Sequence, residues 1–328
     1  MTLSQIAAPQ MMNASLSTFL SSRLSLSSTA YAAALHRQIA HRLTALARVF
    51  PTNAPLLRGI ATCASSLASS DPSAWPKHVS SLHAAALAHV ASCKTSCQPQ
   101  PRPDLDALLS TVAALGIAAG EAAAALEGTD PPIVRTFDPY TLVREEVDAV
   151  RALSVEKFGA APPTELRADL PPAHSCVAVP ALLRHGIAEL LKNAISAQIA
   201  VFSAGGVEDA QAIEVHATLA GTLTHFAVRN FAKAPPPSFF LQERGPFPYF
   251  SSPAPNAEDR GPTYQYSRDF GVPFSGAGVG LPLTHVYAAL HGGALSLRGL
   301  AGGGVEARFS LRCDGGGIGL GPHPFLLQ

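Results

Sequence analysis

The sequence predicts an α+β protein in two parts, an N-terminal antiparallel helical bundle followed by an α/β sandwich. Ala- and Leu-rich stretches recur at helical spacing up to about residue 126. Strand-like alternation begins only beyond residue 175, and two strand pairs there flank glycine turns at Gly221 and Gly302-Gly303-Gly304. A chain of 328 residues has room for two domains of about 100–200 residues each. The expected layout is a targeting segment over 1–15, a helical bundle over 16–130, a sandwich domain over 131–313 with an irregular insertion at 231–274, and a glycine-rich tail over 314–328.

The elements follow in order. Helical spacing runs from Leu16 to Val49 and is interrupted at Pro51 and Pro55. A second helix is expected from Ser73 to Ala91, ahead of the breaker-rich Gln98-Pro99-Gln100-Pro101-Arg102-Pro103. A third runs from Asp104 to Leu126 and stops at Gly128. Asp138 followed by Pro139 is a cap with proline at the first helical position, so a fourth helix runs to Phe158, with Gly159 closing it. Several helices joined by such loops suggest an antiparallel bundle. Beyond them, Cys176 to Val179 reads as a short strand, and Pro180 opens a helix to about Phe202. Strands are expected at Ala212–Ala220 and Thr222–Asn230, then an irregular stretch from Phe231 to Phe274 that suits a functional lid or a disordered insertion. A glycine loop (Gly276 to Gly280), a helix (Leu281 to Leu290) and a second hairpin (Ala294–Leu300 with Val305–Arg312) complete the pattern. The tail Gly315-Gly316-Gly317-Ile318-Gly319 reads as a flexible end, since no helix follows to make it a phosphate loop.

Composition excludes several functions. Lys+Arg and Asp+Glu are equal at 23 each, so no global positive field points to nucleic acid. No run of 18 apolar residues is uninterrupted, and Ala107–Leu126 is broken by Ser110, Thr111 and Glu121, so no membrane span is expected. Five scattered cysteines fit no disulfide framework, and Cys93 and Cys97 read as reduced thiols. A zinc site through His174 and Cys176 lacks evident further ligands, which favours a packing role for both. His216 and His225 read as surface residues.

Charge is also uneven along the chain. From Met1 to Ser70 there is no Asp, Glu or Lys, while Arg23, Arg37, Arg42, Arg48 and Arg58 lie among many serines. That is the pattern of a mitochondrial targeting segment, with a basic amphipathic helix of the folded protein as the other reading of the same stretch.

Two segments carry chemistry. His185, Glu189, Lys192 and Asn193 fall at i, i+4, i+7 and i+8, along one helix face. A carboxylate four residues from a histidine can serve as a general base, lysine can hold phosphate, and asparagine offers magnesium an oxygen ligand. Alone, the segment reads rather as a solvated polar stripe on an amphipathic helix. The second segment, Gly276-Ala277-Gly278-Val279-Gly280-Leu281-Pro282-Leu283, lets backbone N–H groups approach phosphate at the start of a helix. Asp269-Phe270-Gly271 is a chance tripeptide, since no HRD-type loop accompanies it.

Together these segments resemble the GHKL ATP-binding fold of DNA gyrase, histidine kinases, MutL-type repair proteins and mitochondrial 2-oxoacid dehydrogenase kinases. Glu189-Leu190-Leu191-Lys192-Asn193-Ala194 resembles the N box, and Gly276 to Leu283 the second glycine box. Within that superfamily the chain looks most like the pyruvate and branched-chain 2-oxoacid dehydrogenase kinases. The shared features are His185 four residues before Glu189, the Gly280-Leu281-Pro282 turn, Tyr287 in the next helix, and Gly293-Ala294-Leu295-Ser296-Leu297. The resemblance spans roughly Pro131 to Leu311 and extends faintly to Phe19-Leu20-Ser21-Ser22-Arg23-Leu24. It implies a GHKL (Bergerat) sandwich, ATP and magnesium as ligands, Glu189 as general base tuned by His185, and Lys192 on phosphate. Asn193 would ligate magnesium, Gly276, Gly278 and Gly280 with Leu281 would line the nucleotide, and the matrix would be the location.

The resemblance departs from the family on the adenine side. The first glycine box is an Asp-x-Gly-x-Gly loop; here Asn230 stands for the aspartate, and Ala232, Lys233 and Ala234 stand where glycines are expected. If those sites need φ > 0, each Cβ costs about 1–2 kcal/mol. Val305 stands where the family has a threonine, and the C-terminal Asp-Trp signature is absent, Trp75 being the only tryptophan. Two readings follow. One is an ATP-dependent Ser/Thr kinase of a 2-oxoacid dehydrogenase complex; the other is a catalytically inactive pseudokinase, with no cofactor, serving as a subunit of another mitochondrial assembly. The resemblance makes a homodimer an option. A bacterial-type histidine kinase would need a phosphoacceptor, for which His36 or His41 serves only by default, and the acid-free N-terminus and the Gly280-Leu281-Pro282 turn disfavour it.

Overall fold

Asn53 caps a helix in the computed structural model. Its Oδ1 accepts the N–H of Leu56 at 3.0 Å, opening α1 (Ala54–Ala68). The described residues are 39–40, 43–44, 46–48, 53–68, 75–93, 100–127, 134–202, 206, 210–232, 247–249 and 279–314. The expected targeting segment, most of the 231–274 insertion and the tail beyond Asp314 lie outside them. α1 corrects the sequence expectation, which read Pro55 as an interruption. Pro55 instead occupies the first turn, where its missing N–H has no partner to lose.

The chain divides into two compact units. The first holds α1, α2 (Trp75–Cys93) and α3 (Pro103–Glu127). α2 buries Val79, Leu82, Ala86 and Val90 along one face. Gly59 of α1 packs on that face: a Cβ there would lie 3.1 Å from Leu82 Cδ1. The cap residue Asn53 also reaches His89 near the end of α2, Nδ2 to Nδ1 at 2.7 Å. α3 is apolar nearly all round and is buried from Leu105 to Ala119 on most of its surface.

The second unit holds β1 (Gln100–Pro101) and the chain from Thr136 to Asp314. β2 (Arg135–Phe137) leads into α4 (Pro139–Phe158). Asp138 caps α4 as expected, accepting the Tyr140 N–H at 2.9 Å and the Thr141 hydroxyl at 2.6 Å. Gly159, at φ 76, ends it. β3 (Thr164–Asp169) and β4 (Cys176–Ala178) follow, then α5 (Pro180–Phe202), β5 (Ile213–Ala220), β6 (Leu223–Asn230), β7 (Pro248–Tyr249), α6 (Gly280–Leu290), β8 (Leu295–Gly299) and β9 (Val305–Arg312).

Five strands form one mixed sheet in the order β3-β5-β6-β9-β8, with β3 and β5 parallel and the other pairs antiparallel. Register places Val215, Val228 and Ala307 in one row and Ala217, Phe226, Phe309 and Leu295 in the next. These rows are the apolar face, and α5 and α6 pack on it. Gly186 sets the approach of α5, since a Cβ there would meet the Phe309 ring at 3.0 Å and Thr284 Cγ2 at 3.4 Å. The alternate residues form the opposite, charged face. Glu306 there is 2% exposed and accepts Arg229 Nε at 2.6 Å, Arg298 Nε at 2.8 Å and Arg308 at 3.1 Å. Glu214 joins the network through Arg229 at 3.3 Å and His216 at 3.2 Å.

Two segments read as irregular from the sequence also pair. β1 and β7 join antiparallel, Gln100 opposite Tyr249. Next to β7, buried Phe247 meets the His285 ring of α6 edge to face at 5.6 Å.

Candidate functional site

α5 and the start of α6 build the site. Ile187, Leu190, Leu191 and Ala194 are buried, which turns Glu189, Lys192 and Asn193 away from the most deeply packed side of α5. The Glu189 and Lys192 side chains are 18% and 25% exposed, and Asn193 is exposed. Lys192 Nζ donates to Glu189 Oε1. The other carboxylate oxygen lies against Gly280: a Cβ on Gly280 would overlap Oε2 and stand 3.2 Å from the carboxyl carbon. One oxygen of Glu189 is therefore bonded by an ammonium, and the other sits in the space that a side chain at position 280 would fill.

Gly280 is also the first residue of α6. Val279, at its N-cap, provides no side-chain cap, and Leu283 N–H already bonds Val279 C=O at 2.9 Å. Pro282 has no N–H, so the helix start offers those of Gly280 and Leu281 at its positive end. Leu281 itself is half-buried in this first turn. A carboxylate beside this terminus is electrostatically favoured, and so is an anion brought to it.

The His185 ring lies edge to face with Tyr287 of α6, centroids 5.4 Å apart and planes at 77°. Burial pushes the Tyr287 phenol above its ordinary range, and the negative charge of Glu189 adds to the shift. Tyr287 is thus a site neighbour that residue spacing alone does not reveal. On the α4 side, Arg184 pairs with Glu145 and stands 3.6 Å from Glu146. Burial raises the Glu146 carboxyl, while the charges of Arg184 and Lys192 oppose that rise.

A second group sits where β6 ends and β9 begins. Asn230 and Val305 are register partners. Asn230 is 9% exposed, and its Oδ1 accepts the Ala232 N–H at 3.3 Å. Gly304, at φ +94, brings the preceding turn against it: a Cβ there would lie 3.0 Å from the Asn230 carbonyl carbon and 2.9 Å from Phe231 Cα. Ala232 corrects an expectation. Among the described residues Ala173 is the only non-glycine with positive φ, so the Ala232 Cβ does not incur the left-handed strain anticipated there.

The structure thus joins Glu189, Lys192 and Gly280 in one cluster and Asn230 with Val305 in another. Gly276, Gly278, Lys233 and Ala234 lie outside the described residues. His216 and His225 lie half-buried on the charged outer face of the sheet, His216 against Glu214. The packing role expected for His174 and Cys176 is also incomplete, because Cys313 joins them. No helix among the described residues is long and apolar enough to cross a membrane.

No family model matches the chain, and no curated protein matches it. Among solved structures it is similar to the catalytic domain of histidine kinase ThkA in two nucleotide-free crystal forms. The identities are 16% and 17%, covering 55% of this chain and 97% and 95% of those chains, with TM-scores of 0.37 and 0.36. Likeness at this level sets neither family nor activity.

Proposed function

We propose that this protein is an ATP-dependent phosphotransferase of the GHKL kind, related to the mitochondrial 2-oxoacid dehydrogenase kinases, with Glu189 as general base. The observation that carries the reading is the Glu189 carboxylate held between Lys192 Nζ and Gly280 at an uncapped helix start. The residues fit a magnesium-nucleotide. Uncapped N–H groups suit phosphate, exposed Asn193 suits magnesium, and the Asn230–Gly304 approach leaves a backbone-lined edge for a base.

Bound Mg-ATP supplies the phosphoryl group. Glu189 accepts the proton of a Ser or Thr hydroxyl, and Lys192 places positive charge beside that carboxylate. Tyr287 and His185 back the same face from α6 and α5. Such transfer asks a protein mainly for positioning and charge neutralisation. The acid-free, arginine-bearing N-terminus supports import into the matrix, where a 2-oxoacid dehydrogenase is the partner this reading selects. The test incubates the chain with Mg-ATP and the decarboxylase subunit of such a complex. Phosphate transfer that Glu189→Gln abolishes supports the reading; no transfer above that variant overturns it.

One observation favours the inactive alternative. Asn230 carries no charge, and its Oδ1 already accepts the Ala232 N–H, while Val305 beside it has no hydroxyl. On that reading the domain is an interaction subunit. Glu189→Ala and Asn193→Ala then leave assembly intact, and loss of assembly in either folded variant counts against it.

A further inference from the structure

Apart from the Glu189 cluster, three soft donors converge where β4, β6 and β9 meet. His174 precedes β4, Cys176 begins it, and Cys313 follows β9; their ligand atoms all lie within 4.8 Å of one another. His174 Nε2 and Cys176 Sγ are 3.6 Å apart. The backbone holds the three in place. Val177 N–H bonds Cys313 C=O at 2.9 Å, Cys313 N–H bonds Thr222 C=O at 2.9 Å, and Val177 bridges Asp314 in parallel. Ala173, at φ 58, turns the chain immediately before His174.

We propose that His174, Cys176 and Cys313 bind one thiolate-preferring metal ion of the zinc class. Zinc bonds of about 2.3 Å to sulfur and about 2.0–2.1 Å to nitrogen set neighbouring donors about 3.5–3.8 Å apart in a tetrahedron, which the His174–Cys176 spacing matches. Two sulfurs and one imidazole are the donor chemistry such an ion selects over magnesium or calcium. The Thr224 hydroxyl lies in the middle of the set. Its Oγ1 is 2.9 Å from His174 Nε2, 3.3 Å from Cys176 Sγ and 2.6 Å from Cys313 Sγ. These contacts go to the ligating atoms themselves, so the hydroxyl holds the donors together in the metal-free chain and turns aside as the ion enters, with solvent completing the coordination.

Burial fits the role. Cys176 is fully buried, whereas His174 and Cys313 are half-buried, so the cluster keeps an open side for metal entry. The ion ties the end of β9 to the strand that leads directly into α5, the helix of Glu189. It acts as a staple of that junction. This inference rests on the His174 cluster and not on nucleotide binding, so each can fail without the other.

The test uses the full chain, reduced and stripped of metal, titrated with Co2+ and then Zn2+. The expected result is one equivalent of Co2+ giving the ligand-field spectrum of a tetrahedral site with a thiolate charge-transfer band, displaced by Zn2+. Cys176→Ser, Cys313→Ser and His174→Ala each weaken binding on the order of 100-fold or more. Cys93→Ser leaves it unchanged. Because substitution at buried Cys176 disturbs packing, the unaltered chain gives a second readout. Zn2+ protects the Cys313 thiol from alkylation and raises Tm as its concentration rises. Three results overturn the proposal: no tetrahedral spectrum, a spectrum that persists in the double variant Cys176→Ser/Cys313→Ser, or a Cys176–Cys313 disulfide in the purified protein.

Discussion

The carboxylate of Glu189 rests against the Cα of Gly280, so the middle of α5 and the first residue of α6 occupy one site through a position where a side chain would displace that carboxylate. Gly280→Ala must therefore move Glu189 or α6. The displaced atoms are the end of a flexible, partly exposed side chain, so we expect a loss of at most about 1 kcal/mol in urea unfolding. In Glu189→Ala the obstacle is gone, so a double-mutant cycle of the two should show coupling of about 0.5–1 kcal/mol. Additive effects would mean that the contact is not tight.

His291 governs stability between neutral and mildly acid pH. It is fully buried, Nδ1 donates to Tyr287 C=O at 2.7 Å, and Nε2 accepts the Val179 N–H at 3.2 Å. Both nitrogens are committed to the neutral ring, and burial holds the group below its usual range. The unfolded chain takes up a proton near pH ~6.5 while the folded one resists. Stability is therefore present above that pH and lost as pH falls below it. Half-buried His225, also lowered by burial, acts in the same sense. Urea midpoints measured from pH 7 to pH 5 should fall, and the slope should be shallower in His291→Gln.

Much of this was readable in the residues. Asp138-Pro139 and Gly159 mark both ends of α4, and Pro180 marks the start of α5, because caps and proline act locally. β3 was not readable. Thr164-Glu165-Leu166-Arg167-Ala168-Asp169 is an exposed edge strand with little apolar alternation, and it is specified by its parallel register with β5. The i, i+3 pairing of Glu189 with Lys192 follows from helical spacing. The Gly280 contact, the Tyr287 neighbour and the meeting of Cys176 with Cys313 are tertiary, and no local pattern encodes them.

Glu306 anchors the charged face of the sheet. Its carboxyl lies below the usual range because Arg298 and Arg229 hydrogen-bond it against the cost of burial. Glu306→Gln removes that charge and leaves three guanidinium groups together. A loss of about 2–3 kcal/mol is expected by urea unfolding. A change below about 0.5 kcal/mol would show that solvent screens the arginines.

The Asn230–Val305 pair allows a gain-of-function test of the adenine reading. Asn230→Asp restores a charged acceptor, and Val305→Thr adds a hydroxyl on the paired strand. Each should strengthen adenine nucleotide binding about 10-fold, or about 1.4 kcal/mol. Unchanged affinity in both would place the base elsewhere.

Calorimetric titration of the purified chain with ADP and ATP, with and without magnesium and beside Asn193→Ala, tests the central claim most directly. The account predicts magnesium-dependent binding with a Kd on the order of micromolar, about −8 kcal/mol, weakened at least about 10-fold in the variant. No heat of binding up to about 1 mM nucleotide, where binding is worth only about −4 kcal/mol, would contradict it.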